Sequence, residues 1–236
     1  MSRHLPAGVA PKYLSATFFM SFFVNALFSL SVGFSALIGW VRYKKSDPAF
    51  FPFLLLVTLG FLHEILSILL LKAGYSNAAS YNLFSLFEAL LINWQFSRWQ
   101  LFEKHPQGYH RLQCLMVTVW LCELALQQSL LRFFSYFIIG YSFLIVLMSI
   151  TLINRTIFRE SRSLLRNSRF LICMGLIIYF IYAVLVETFW LFGLTQSQSF
   201  RVGIYQILSY INLFTNLIYA LAFLWIPMKP RYIMQS

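Results

Sequence analysis

Seven runs of about twenty mostly apolar residues leave this chain little choice of solvent, because that is the length at which an α-helix crosses the hydrocarbon core of a bilayer. They fall at 18–41, 50–71, 78–99, 112–131, 133–154, 170–192 and 203–226. In lipid every backbone N–H and C=O must be satisfied within the spanning segment itself, which helices do. The sequence therefore predicts an all-α integral membrane protein, one seven-helix domain over residues 1–236. Composition agrees. Only 11% of residues are charged and 60% are hydrophobic, whereas soluble domains carry roughly 25% charged residues. That excludes a soluble enzyme and intrinsic disorder alike, and 26 Phe, 13 Tyr and 6 Trp suit the lipid phase and its interfaces.

The breaks between runs are clear at Arg42 to Pro48, at Gly74 to Asn77, around Lys104 to Gly108, after Asn154 and from Gly193 to Ser199. Between the fourth and fifth runs only Gln127, Gln128, Ser129 and Arg132 interrupt the apolar tract, so that turn must be tight. Counting Lys and Arg in alternate loops gives thirteen on one side and five on the other. Basic residues are retained in the cytoplasm, which predicts a multi-pass membrane protein with its N-terminus outside and its C-terminus inside. The net charge of +11 is on this reading a topology signal, and no nucleic-acid surface is expected. The first run is too long for the apolar region of a cleaved signal peptide and should stay as a span. Cys114, Cys122 and Cys173 all lie in apolar runs and are expected to be small core residues.

A weak repeat is visible. Tyr81-Asn82-Leu83-Phe84-Ser85-Leu86-Phe87-Glu88 in the third run matches Tyr205-Gln206-Ile207-Leu208-Ser209-Tyr210-Ile211-Asn212 in the seventh, with Glu88 opposite Asn212. Both segments run from outside to inside, so a repeat of spans one to three in spans five to seven would be parallel, with span four as connector. Gly60 and Gly175 fit it loosely. This 3+1+3 order resembles that of the sugar-transporting SWEET proteins, a resemblance of topology.

Four of the seven acidic residues, Glu64, Glu88, Glu123 and Glu187, lie inside predicted spans. A charge at mid-bilayer costs at least about 2.5–3.5 kcal/mol, so such acids face the bundle interior, find partners or are protonated. At 100° per residue, Tyr81, Ser85, Glu88 and Gln95 share one face of span three, and Tyr205, Ser209, Asn212, Asn216 and Tyr219 share one face of span seven. Two such stripes are expected to line one cavity opening outward, with Glu64 close by. His63, Glu64 and Ser67 add a polar patch on span two, and Trp120, Glu123 and Gln127 another on span four. The bland alternative for buried Asn and Ser is interhelical hydrogen bonding, worth roughly 0.6–2 kcal/mol each, and for His63 a packed core residue.

Arg155, Arg159, Arg162, Arg166 and Arg169 follow spacings of four, three, four and three. If helical they form one basic stripe, which predicts a helix at the inner headgroups that meets anionic lipid or docks an acidic cytoplasmic partner. Known seven-helix families can be tested by residue. Phe200 to Trp225 holds no lysine for a retinal Schiff base, and His4, His105 and His110 sit outside the spans, unlike the zinc-binding histidines of membrane hydrolases resembling alkaline ceramidases. Asn216-Leu217-Ile218-Tyr219 matches the Asn-Pro-x-x-Tyr motif of G-protein-coupled receptors only without its proline. Phe170-Leu171-Ile172-Cys173-Met174-Gly175-Leu176-Ile177-Ile178-Tyr179, Ile211 to Ala220 and Trp225-Ile226-Pro227 resemble small bacterial seven-helix membrane proteins of receptor or sensor type. That resemblance implies a protein of the plasma membrane, a bacterial inner membrane, working as a ligand-sensing module that signals through a partner. A proton-coupled small-solute transporter is the alternative. No enzymatic nucleophile, metal-ligand set or cofactor loop is visible, so neither enzyme, metal nor cofactor is expected.

Overall fold

The computed structural model describes residues 24–159, 164–192 and 198–227. Among them there are seven α-helices and no strand: α1 Val32–Arg42, continued N-terminally by helical residues 24–30, α2 Phe51–Lys72, α3 Ala78–Arg98, α4 Pro106–Gln127, α5 Ser135–Arg159, α6 Ser168–Leu191 and α7 Gln198–Leu224. Five of these, α1, α2, α5, α6 and α7, are long and apolar enough to cross a membrane, which makes this a multi-pass membrane protein. The other two, α3 and α4, are long enough but carry more polar residues.

Local chemistry sets the helix ends. Asp47 accepts from Ala49 N (2.8 Å) and, with Pro48, opens the short turn into α2. Pro106 opens α4, where a proline's missing N–H costs nothing. That start is six residues ahead of the predicted run, because the polar first turns of α4 are helical too. Gln128, with φ of 51°, ends α4 in the left-handed region and makes the tight turn expected there. Asn167 caps α6, its Oδ1 accepting from Arg169 N and Phe170 N.

That cap corrects the basic stripe. The arginines do not share one helix: Arg155 and Arg159 belong to the end of α5, Arg166 to a separate 3₁₀ turn, and Arg169 to the first turn of α6. Arg162 lies outside the described residues. A side-chain cap at Asn167 requires a non-helical backbone there (ψ 114°), so no continuous helix can pass through it.

The helices pack mainly in chain order, α1 on α2, α2 on α3, α5 on α6 and α6 on α7, while α7 closes on α1 and α3 touches α5. Six helices thus form a ring, α1-α2-α3-α5-α6-α7, with α4 outside it against α3 and α5. Two glycines permit close approach. A Cβ on Gly39 would stand 2.5 Å from Leu54 Cδ1, and one on Gly175 would collide with the Tyr219 ring, so a larger residue at either position requires these side chains to shift. Large apolar residues outside the ring, such as Phe34, Leu62, Phe87, Phe143 and Leu217, are exposed, as lipid-facing positions should be. Cys173 is buried as expected, but Cys114 and Cys122 are exposed. An apolar run does not say which of its faces points inward, and α4, outside the ring, turns much of its surface outward.

Candidate functional site

Inside the ring lies a cavity of about 90 Å³, bounded by α1, α2, α3, α6 and α7. That is room for about three waters or a ligand of a few heavy atoms. Its polar lining is Ser29 from α1's N-terminal extension, Glu64 from α2, Glu88 from α3, Tyr179 from α6, and Asn212, Thr215, Asn216 and Tyr219 from α7. Val32, Leu56, Val57, Phe84, Leu176 and Phe180 make its apolar wall, and Gly60 leaves part of it open. Among the described residues no Lys, Arg or His lines it.

The two carboxyl groups are held differently. Tyr141, on α5 behind the cavity, donates its hydroxyl to Glu88 Oε2 at 2.6 Å. Ser29 is the hydrogen-bonding neighbour of Glu64, and the two carboxyls act on each other electrostatically. The α7 side is fixed by a chain of forced choices. Ser31 spends its one proton on Phe28 O, so toward Asn216 its oxygen can only accept. Asn216 Nδ2 therefore faces Ser31 Oγ (2.9 Å), and its Oδ1 is turned the other way. Ser35 Oγ donates to Asn216 O (2.7 Å), and Thr215 Oγ1 donates to Ile211 O and Asn212 O. These bonds tie α7 to α1 and spend hydroxyl and amide donors that would otherwise face the cavity.

Of the residues predicted to form a site, the structure brings together Glu64, Glu88, Asn212, Asn216 and Tyr219. It does not place the whole of the α3 stripe there. Ser85 donates back to Asn82 O within its own helix, and Tyr81 packs edge-on against Phe133. Gln95 reaches α2 instead, donating to Ala49 O (2.7 Å) and accepting from Phe53 N (2.8 Å), which satisfies one of the open N–H groups at that helix start. The reason is position: α3 is packed by α2, α4 and α5 on different sides, so its polar residues serve three neighbours. Ser209 is buried away from the cavity, and the Tyr205 side chain lies outside what is described.

His63 stacks on Phe84 with ring centroids 4.5 Å apart and only 11° between planes. It does not line the cavity, although Phe84 does. Glu123 does not reach the cavity either. Its carboxylate accepts from Tyr136 N (3.2 Å), Phe137 N (2.6 Å) and Gln127 Nε2 (3.2 Å), capping the start of α5. Glu187 accepts from Ser135 Oγ at the same helix end. Arg155 donates to Gln100 O and Leu101 O beyond the end of α3. Arg166 is exposed and Arg169 half-buried.

Sequence reasoning missed Ser29, Tyr141, Tyr179 and Thr215. A tyrosine hydroxyl far from both ends of an apolar run was the available signal for Tyr141 and Tyr179, since tyrosines in lipid otherwise gather at the interfaces. No family model, no curated protein and no solved structure matches this chain.

Proposed function

We propose that the chain is a seven-span protein of the plasma membrane, a bacterial inner membrane, with its N-terminus outside, and that it works as a receptor-like or sensory module. A small ligand enters the cavity from the outside and shifts the packing of the ring, and a partner reads that shift at the basic cytoplasmic face. On this reading α3 and α4 also cross the membrane. Their low apolarity reflects polar residues turned toward protein: Asn82, Asn93 and Gln95 on α3 are buried, and Trp120 and Glu123 on α4 bond inward. The arginines between α5 and α6 retain that loop inside and meet anionic headgroups. The observation that carries the reading is the cavity itself, in which two carboxyls and two carboxamides converge from three helices with no cation among them.

One observation favours a second reading, a small-solute transporter. Exchanging α1, α2 and α3 with α5, α6 and α7 turns the contact α1–α2 into α5–α6, α2–α3 into α6–α7, and α3–α5 into α7–α1. Each main contact of the ring maps onto another, as a parallel 3+1+3 repeat with α4 as connector requires. Glu88 and Asn212, equivalent in that repeat, both face the cavity.

Sided labelling separates the two. With Cys114, Cys122 and Cys173 replaced by Ser, Asn212→Cys in oriented vesicles should react with an impermeant thiol reagent from the outside only. Reaction from both sides would favour the transporter. Protection from both sides would remove the cavity as a ligand site.

A further inference from the structure

The hydrogen-bond inventory of the cavity narrows its ligand further. Four donor groups at or beside the cavity are already engaged within the protein. Asn216 Nδ2 goes to Ser31, Tyr141 to Glu88, Thr215 to backbone carbonyls of its own helix, and Ser29 pairs with Glu64. Open acceptors remain at Glu88 Oε1, the second oxygen of Glu64 and Asn216 Oδ1, beside the Tyr179 and Tyr219 hydroxyls and the Asn212 carboxamide, which can donate as well as accept. None of these open acceptors has a hydrogen-bond partner among the described residues. Asn216 is only 9% exposed and Tyr219 only 8%, yet both border the cavity, and the Tyr219 hydroxyl has no hydrogen-bond partner among the described residues. Such open polar groups favour an occupant that hydrogen-bonds, and the carboxyl oxygens favour one that supplies donors.

From this we infer that the cavity takes a small organic ammonium ion, an inference that rests on the ligand-binding reading above. The charge fits, because two acids with no base beside them among the described residues disfavour an anion and can ionise against a bound cation. The ammonium N–H groups match the free acceptors on Glu64, Glu88 and Asn216. The carbon end meets Phe84, Tyr179, Phe180 and Tyr219, whose ring faces attract cations and whose edges are apolar. Calcium or magnesium fits less well, since each takes six or more oxygen ligands and only two acids line the cavity among the described residues. The volume of about 90 Å³ limits the ligand to a few heavy atoms.

Calorimetric titration of the full chain in zwitterionic nanodiscs tests this, with methylammonium and propylammonium as probes, 1-butanol as the neutral comparison for propylammonium, and KCl at matched ionic strength. The expected result is saturable binding of the alkylammonium ions alone, weakened at least tenfold in Glu88→Gln and in Glu64→Gln. These variants keep side-chain shape and fold. Gly60→Val is the second handle: a Cβ there meets nothing closer than 3.8 Å, and the variant keeps both acids while its side chain takes up cavity space. It should lose the same binding. If 1-butanol or KCl binds as well as propylammonium, or if both Gln variants bind undiminished while Gly60→Val does not, the ammonium class is overturned and the cavity remains a ligand site. If alkylammonium binding survives in all three variants, or no probe binds, the inference fails. Loss of cavity labelling at Asn212→Cys would then separately remove the ligand-binding reading.

Discussion

Asn82 is the residue whose removal should cost most for its size. It is 0% exposed on α3 and holds the α4–α5 turn from inside. Its Nδ2 donates to Leu130 O (3.0 Å) and Arg132 O (2.6 Å), and its Oδ1 accepts from Phe134 N (3.0 Å). Asn82→Ala strips three bonds at once. The Phe134 N–H is then buried without a partner, at about 1–3 kcal/mol, and the two partly buried carbonyls lose about 0.5–1.5 kcal/mol each. The sum is about 2–6 kcal/mol, a large part of the ~5–15 kcal/mol by which a domain is stable. Asn82→Asp should be no better, because its second oxygen would face two carbonyl oxygens. Equilibrium unfolding in mixed micelles, followed by tryptophan fluorescence, reads this directly, since Trp120 Nε1 donates to Asn82 O and reports on the same spot. An Asn82→Ala protein within about 0.5 kcal/mol of wild type, the range of ordinary surface substitutions, would refute the reasoning.

Three further outcomes follow from single contacts. Glu123→Ala should lower stability by about 1–3 kcal/mol in the same unfolding assay, because it uncovers the N–H groups of Tyr136 and Phe137 at the start of α5, while Glu123→Gln should recover part of the loss. Gly175→Ala should cost about 1–3 kcal/mol by pushing the Tyr219 ring off α6, and the loss should be clearly less than additive with Tyr219→Leu in a double-mutant cycle. Arg166→Gln should reduce retention on anionic vesicles by about 1 kcal/mol, and Arg155→Gln by less, since Arg155 is already engaged with Gln100 O and Leu101 O. Equal effects in a vesicle-sedimentation assay would contradict that difference.

Much of the helix order was readable from the sequence because run length and charge act locally. The breaks at Pro48, Asn77, Pro106 and Gln128 follow from residues within a turn of them. Helical periodicity also put Asn212, Asn216 and Tyr219 on one face correctly, because α7 meets the cavity with one face. It failed for α3, where residues at matching angles serve different neighbours at different depths: Ser85 bonds back to its own helix, Glu88 borders the cavity and Gln95 holds the start of α2. Periodicity fixes an angle about one axis and says nothing of which helix stands there. The same limit explains Glu123, which periodicity marks as inward-facing but which caps a helix start thirteen residues later in the chain. The basic stripe misled for a different reason. Spacing by fours and threes suits a helix, but Asn167 inside it is a strong cap, and a cap within a turn of a charge pattern outweighs the pattern.

If Glu64 and Glu88 set the electrostatic character of one ligand-accessible cavity inside the ring, a thiol placed at its wall should sense their charge. The most direct test compares the reaction rates of Asn212→Cys, in the background lacking native cysteines, with a cationic and an anionic methanethiosulfonate of similar size. The cationic reagent should react at least tenfold faster, and Glu88→Gln should shrink this preference. Equal rates for the two reagents, or a preference unchanged when Glu88 and Glu64 are both replaced by Gln, would contradict the role given to the two acids.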